Sequence, residues 1–406
     1  MSRLRTFVAP LLAVGLLAVA APAAAGADGR QVHAQAAGHP GTVRGATVEV
    51  VRFLGQQRLP DAMEFQGTTV GGLSGIDYAP RRDTWYVVSD DRSALDPARF
   101  YTADLDFQAG TGKFTGVTLT GTTPMRRPDG STYPPVSRGT PVDPEAIRYD
   151  PRSGTLFWTS EGARALETSG DPLLADPFVR QMTTNGHFVR ELNSPDHLRM
   201  RPTQRGSRQN LALEGLTLAR DGRRVVAAME GPLFQDGPTA TARHGATTRI
   251  VVWNKRTGKP VKEYAYPLDP LPCAPEPATA FAVNGVSEIL SVDKHRYLVL
   301  ERAFCVGVGN SIRIYEVDTR GATNVLHHDA LEGTPGYQPV SKELVLELGP
   351  AGTPKPDNIE GMTWGPRLPG GQRVLVLVAD NNFSASQVTQ FLAYAVRVQS
   401  RWLGRS

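Results

Sequence analysis

The chain has 406 residues, 40% hydrophobic and 21% charged, which excludes a disordered protein or a fibre and predicts a sizeable buried core. Its 44 basic and 40 acidic residues leave a formal net charge of +4, too close to neutral for a dedicated nucleic-acid binder or a polybasic membrane binder. The 41 glycines and 32 prolines suit many short strands joined by tight turns.

The first 25 residues read as a secretory signal peptide. Arg3 and Arg5 precede an apolar run from Phe7 to Ala20, and Ala23-Ala24-Ala25 supplies small residues for cleavage. A membrane anchor is the weaker reading, because the run falls short of the ~20 residues a helical span needs. No later segment approaches that length, so no membrane span is expected after cleavage, and the mature protein is expected to be periplasmic or extracellular. Removing residues 1–25 takes away two arginines and no acid, so the formal charge falls from +4 to +2. Residues 26–45 are expected to be a flexible lead-in to a folded domain over 46–398, followed by a tail over 399–406. Cys273 and Cys305, the only cysteines, are expected to form a disulfide rather than a metal site in an oxidising compartment. Closing that loop stabilises by roughly 3–4 kcal/mol on a chain-entropy account.

A short phrase recurs along the rest of the chain: Leu73-Ser74-Gly75-Ile76, Pro144-Glu145-Ala146-Ile147, Leu213-Glu214-Gly215-Leu216, Ser287-Glu288-Ile289-Leu290 and Ile359-Glu360-Gly361-Met362. Each leads through a turn into an apolar run that ends in an acid: Trp85 to Asp90, Leu156 to Glu161, Val225 to Glu230, Tyr297 to Glu301 and Val374 to Asp380. A strand, a tight turn and a second strand make a hairpin. Further alternating runs follow, among them Phe100 to Phe107, Val179 to Thr183, Arg249 to Asn254 and Ser311 to Val317, while helical periodicity is nearly absent. Four strands per unit of ~70 residues, repeated, predict an all-β fold, a single β-propeller. Five blades are readable. A degenerate sixth is possible in the spare residues 110–140 and 323–348. Val48 to Arg58 would supply the outer strand of the last blade and close the ring. Two stacked sandwiches share this composition, but separate domains have no reason to repeat one acidic phrase.

In an antiparallel hairpin the first and last residues share one end of the sheet, so the opening and closing acids of every blade are expected at one mouth of the central channel. Nine carboxylates would meet there: Asp90, Glu145, Glu161, Glu214, Glu230, Glu288, Glu301, Glu360 and Asp380. They would raise one another's pKa unless cations or arginines intervene. Hard oxygen donors favour Ca²⁺, with Mg²⁺ or Mn²⁺ as the lesser candidates, over Zn²⁺. Asp91, Asp357, Asn358, Asn381 and Asn382 could add oxygens. Arg92 and Arg302 follow closing acids and could bind an anionic substrate. The loops 120–144, 193–213, 267–287 and 349–359 are expected to roof that mouth.

The segments Gly72-Leu73-Ser74-Gly75-Ile76, Asp143-Pro144-Glu145-Ala146-Ile147, Leu213-Glu214-Gly215-Leu216, Asn358-Ile359-Glu360-Gly361-Met362 and Val378-Ala379-Asp380-Asn381-Asn382-Phe383 resemble a secreted family with a phytase-like domain, known for an esterase-like activity of phytase. The resemblance runs from about Val48 to Val398. It implies an extracytoplasmic propeller with esterase or phosphoester hydrolase activity on a small anionic or ester substrate. Metal-assisted hydrolysis is the expected mechanism, with Glu214 and Glu360 as candidate catalytic acids beside Arg92 and Arg302. The alternative is a non-catalytic envelope propeller that binds a partner and uses calcium as a brace. A monomer is expected.

Other motifs carry less. Ser74 lacks the strand–elbow–helix setting of a nucleophilic serine. Arg243-His244-Gly245 resembles the opening of a histidine acid phosphatase, but Thr247 stands where that pattern needs arginine. Gly110-Thr111-Gly112-Lys113 reads as a turn. His327 and His328, as neighbours, would point to opposite faces of a strand. Asn382-Phe383-Ser384 fits a glycosylation acceptor that is common by chance.

Overall fold

The central runs of each repeat, such as Thr84-Trp-Tyr-Val-Val-Ser and Arg373 to Asp380, are β-branched and aromatic, and they are buried on both faces because each lies inside a four-stranded antiparallel sheet. Five such sheets occur. The computed structural model describes residues 47–135, 140–166, 172–349 and 354–399. The expected signal peptide, the lead-in 26–45 and tail residues 400–406 lie outside them.

Blade 1 runs from its inner strand Leu73–Ala79 through Thr84–Ser89 and Arg99–Phe107 to Phe114–Pro124. Blade 2 comprises Pro144–Asp150, Thr155–Ser160, Phe178–Thr183 and Phe188–Glu191. Blade 3 comprises Leu213–Leu218, Arg224–Met229, Ala246–Asn254 and Pro260–Leu268. Blade 4 comprises Ala282–Ser291, Arg296–Cys305, Gly309–Asp318 and Ser341–Leu348. Blade 5 takes Asn358–Arg367, Arg373–Asp380 and Gln390–Val398 from the C-terminal end, and Val48–Arg58 completes it by pairing antiparallel with Gln390–Val398. The spare residues that left room for a sixth blade contain the outer strands of blades 1 and 4, Phe114–Pro124 and Ser341–Leu348, and the four-stranded sheets among the described residues number five. Among the described residues the helices are two single 3₁₀ turns, Asp196–Leu198 and Phe234–Asp236, and no helix is long and apolar enough to cross a membrane.

The core is distributed between blades. One apolar layer joins blades 5 and 1 through Leu54, Phe114, Trp85 and Phe391, and others join blades 1 and 2, 2 and 3, 3 and 4, and 4 and 5. Residues 45–406 form one unit. Cys273 and Cys305 are bonded, tying the loop before blade 4 to the end of its second strand.

Inner strands crowd the axis. A Cβ at Gly215 would come within 2.6 Å of Ile289 N on the next blade, and one at Gly361 within 2.9 Å of Ser74 O, so side chains are excluded where neighbouring inner strands touch. Midway along the axis Arg148 reaches all five inner strands. Its guanidinium donates to the carbonyls of Leu216 at 2.6 Å, Met362 at 2.9 Å and Ile76, and it pairs with Glu288 Oε2 at 2.6 Å. Glu288 in turn accepts from the backbone N–H groups of Leu216 and Ile289. Burial outweighs Arg148 and pushes the Glu288 carboxyl up to about 7.

Removing one partner of such a buried pair leaves a stranded charge. Arg148→Met is therefore expected to destabilise the fold by about 3–5 kcal/mol in denaturant titrations, and adding Glu288→Leu should recover part of that loss. An Arg148→Met protein of undiminished stability would show that the inner strands do not depend on this contact.

Candidate metal and hydrolase site at the channel mouth

Every inner strand carries a register irregularity at its mouth end: between Leu73 and Gly75, Pro144 and Ile147, Leu213 and Leu216, Val286 and Glu288, and Ile359 and Gly361. A bulge leaves one residue unpaired and re-aims its side chain. In blades 1, 2, 3 and 5 the opening residue of the repeat sits in this bulge, so Glu145, Glu214 and Glu360 turn into the mouth. The closing acids Asp90, Glu161, Glu230 and Asp380 stand at or just past the end of the second strand. Seven of the nine acids named from the sequence are thus brought together.

Glu288 and Glu301 are not, and blade 4 corrects the expectation for both. Val286 pairs with Glu301 and Glu288 with Leu300, so Ser287 occupies the bulge and Arg302 takes the closing position. Glu288 lies one residue beyond the bulge, spent on Arg148. Glu301 faces the other way, accepting from Tyr266 Oη at 2.7 Å and Asn284 Nδ2 at 3.1 Å and pairing with Lys342 at 2.5 Å. The opening-to-closing spacing of 13 in this repeat against 16 in the first three signalled the shift. Ser74 fills the bulge of blade 1 and donates to Pro144 O at 3.1 Å, which leaves it a structural serine.

One mouth acid escaped the sequence reading. Asp143, two residues before Glu145, is buried and pairs with Arg92 at 2.7 Å. Its carboxylate can approach those of Glu145 and Glu161 so that one oxygen from each lies within 4.8 Å of the others, and Glu161, Glu214 and Glu230 form a second such group. The Asp-Pro-Glu order of the phrase was the available signal.

Among the described residues, only Arg92 and Arg302 pair with these eight carboxylates. Arg302 bonds Glu230 Oε1 at 3.0 Å and approaches Glu360 Oε1 at 3.6 Å, and Arg92 also donates to Asn210 Oδ1 at 2.9 Å. Burial, then mutual repulsion, pushes Asp90, Glu145, Glu161, Glu214 and Asp380 well above the usual carboxylate range. Burial also raises Asp143 and Glu360 against the pull of their arginines, and Glu230 is pushed up to about 7. One oxygen of Glu230 and one of Asp143 are buried without a hydrogen-bond partner. The space for Glu230 depends on Gly285, where a Cβ would meet its Cγ at 2.4 Å.

The flanking oxygens are mostly committed elsewhere. Asp91 accepts the N–H groups of Ala94, Leu95 and Asp96 and binds Arg99. Asp357 holds the N–H groups of Asn358 and Val388, and Asn381 those of Gly72 and Phe383. Asn358 donates to Glu360 at 2.9 Å and to Asp380 at 3.3 Å. A cavity of about 920 Å³ opens beside the ring, with Glu230, Arg302 and Glu360 on its wall, Phe281 and Phe304 on the blade 4 side, and Arg58 and Lys355 at its rim. His327 and His328 lie in the loop before the outer strand of blade 4, not in a strand.

No curated protein matches the chain. Among solved structures, similar folds include a periplasmic gluconolactonase of Pseudomonas aeruginosa, 14% identical and covering 82% of this chain and 87% of that one, with a TM-score of 0.34. A gluconolactonase of Xanthomonas campestris is 11% identical over 88% and 100%, with a TM-score of 0.32. An exo-β-1,3-galactanase of Phanerochaete chrysosporium is 9% identical over 84% and 64%, with a TM-score of 0.42. Such distant likenesses bear on neither activity nor ligand. The sequence profile described as "Esterase-like activity of phytase" matches residues 68–383, which takes in all five inner strands and every acid of the mouth, and the chain belongs to this phytase-like family.

Proposed function

We propose that this protein is an exported hydrolase of phosphate or carboxylic esters that works at the acid-lined mouth with a bound divalent cation, calcium by the chemistry of its donors. The observation that carries the reading is the excess of eight carboxylates over two guanidiniums, with buried oxygens of Asp143 and Glu230 lacking any partner. Asp143, Glu145 and Glu161, or Glu161, Glu214 and Glu230, would hold the cation, and hard oxygens without thiolate or imidazole fit calcium. Bound there, it supplies a positive field that polarises the ester oxygen and orients water. Export is supported by the N-terminal sequence and by the disulfide.

The chain's own residues do the rest. Arg302, at the boundary of ring and cavity, positions the anionic oxygens of the substrate through charge-assisted bonds, and Glu360 keeps its guanidinium turned toward the ring. Arg92 offers the same service from the opposite side. Glu214, raised by burial and by Glu161, Glu230 and Glu360, takes the proton of the attacking water. Water adds to phosphorus or to the carbonyl carbon, the bond to the leaving oxygen breaks, and the proton held by Glu214 departs with the alcohol.

Turnover of p-nitrophenyl phosphate, phytate or p-nitrophenyl acetate should be abolished by chelator and restored by calcium. Glu214→Gln should lower kcat by about 10²- to 10⁴-fold. Absence of chelator-sensitive turnover on all three substrates would remove the proposal. A second reading, a binding propeller braced by calcium, draws on the bond from Ala212 N to Glu161 Oε1 at 2.5 Å, which makes a mouth acid part of the scaffold. It expects chelation to lower Tm with no turnover on any substrate.

Both readings share a pH signature. A carboxyl whose pKa is raised by folding binds more protons folded than unfolded, so its contribution to stability is complete below the unfolded value of 4.5 and fades as pH rises through the folded value, about 7 for Glu230. The metal-free protein should therefore lose Tm steadily from pH 5 to pH 8, and calcium should restore it most at the upper end. A Tm indifferent to calcium at pH 8 would argue against any cation in the ring.

A further inference from the structure

The opposite mouth of the channel has the reverse charge. Below Arg148 lies a second cavity of about 520 Å³, lined by Arg148, Arg220, Arg367 and Arg373 among others. Arg148 is neutralised by Glu288, but the other three have no carboxylate within ion-pair distance among the described residues. Arg367 and Arg373 stand directly opposite each other across the blade 5 hairpin, an arrangement of like charges that ordinarily destabilises a sheet. Arg220 approaches from the turn after the inner strand of blade 3. Arg373 is half-buried and fixed with its guanidinium 4.3 Å from the centre of the Trp364 ring. Trp364 is itself anchored by its indole N–H on Ser291 O at 2.9 Å.

The acids nearby are already engaged. Asp77 accepts from Thr363 Oγ1 and from Tyr149 N, both at 2.7 Å. Asp150 pairs with Lys255 at 2.6 Å, Asp293 with Arg296 at 2.6 Å, and Asp221 with Arg224 at 2.7 Å. Burial, followed by Arg220 and Arg367, pushes Arg373 down to about 9. Three guanidiniums around one concavity, one of them immobilised and none within ion-pair distance of a carboxylate among the described residues, make a receptor for an oxyanion with several acceptor atoms, because guanidinium forks match that geometry; Asp77 on the same wall attracts Arg373, but less than Arg220 and Arg367 repel it.

From this geometry we infer that Arg220, Arg367 and Arg373 form an anion-binding site at the lower mouth, selective for the phosphate class, either free phosphate or a phosphomonoester. A ligand there would bridge blades 3 and 5, which are not neighbours in the ring, and would relieve the repulsion between their arginines. The site is independent of hydrolysis at the upper mouth and uses none of its residues.

The test uses the full chain treated with chelator, so that phosphate cannot act through a metal. Inorganic phosphate should raise Tm above that in sodium chloride of equal ionic strength, and calorimetry should detect its binding. The Arg220→Gln/Arg367→Gln double variant changes two exposed side chains, so its fold should survive. It should lose the phosphate-dependent rise and bind at least about tenfold more weakly, the loss of roughly 1.4 kcal/mol or more. Arg302→Gln, at the upper mouth, should keep both responses. Phenyl phosphate competing with inorganic phosphate would include phosphomonoesters among the ligands, and failure to compete would restrict the site to the free ion. The inference is overturned if wild-type protein shows no rise beyond chloride, if the double variant retains it, or if Arg302→Gln abolishes it.

Discussion

The guanidinium of Arg148 is the contact on which the rest of the architecture depends. A propeller holds its blades by apolar packing between neighbouring sheets, and nothing in that packing fixes the inner strands against one another across the axis. Arg148 supplies the missing constraint, since blades 1, 3 and 5 present carbonyls to it, blade 4 presents Glu288, and blade 2 carries it. Those carbonyls belong to the inner edge strands of their sheets, which pair on one side only, so one buried cation answers polar groups that would otherwise be left unsatisfied. Glu288 balances its charge and also receives two backbone N–H groups, which makes the pair a closed polar network rather than an isolated ion pair.

This network also divides the channel. Above it, the bulges turn glutamates inward and the second strands end in acids; below it, the hairpin turns bring arginines together. Two mouths of opposite sign on one axis are held apart by a neutral pair, and among the described residues each mouth carries more like charge than its ion pairs neutralise. The same physics, like charges gathered in partly dehydrated concavities, underlies both the cation proposed above and the anion proposed below.

Much of this was legible in the sequence because the repeat is chemical as well as apolar. The five phrases located five inner strands, and Val48 to Arg58 was placed correctly as the closing strand because no phrase precedes it. Blade 4 defeated the reading. There the repeat phrase points to Glu288, whereas the bulge selects Ser287. A one-residue slip in a strand sends a side chain to the other face, so Glu301 was assigned to the mouth although it serves Tyr266 and Lys342. Asp143 was missed for the converse reason. It lies one residue before the inner strand, where the bond from Glu161 N to its carbonyl at 3.1 Å holds it beside the closing acid. Arg148 was invisible because a single arginine in a strand gives no periodic signal.

The correction at blade 4 gives the site a direction. Blades 2, 3 and 5 each contribute an opening and a closing acid, blade 1 contributes Asp90 beside Ser74, and blade 4 contributes Ser287 and Arg302. The carboxylates therefore form an arc rather than a complete ring, with its gap at blade 4. The cavity of about 920 Å³ is walled there by Phe281, Val283, Phe304 and Asn310. An anion approaching anywhere else along the arc meets uncompensated negative charge; at the gap it meets a guanidinium already turned inward by Glu230 and Glu360. Complete acid symmetry would make a better cage for a cation and a worse site for an anionic substrate. In the hydrolase proposed above, this replacement of one acid pair by serine and arginine would put substrate entry on the blade 4 side.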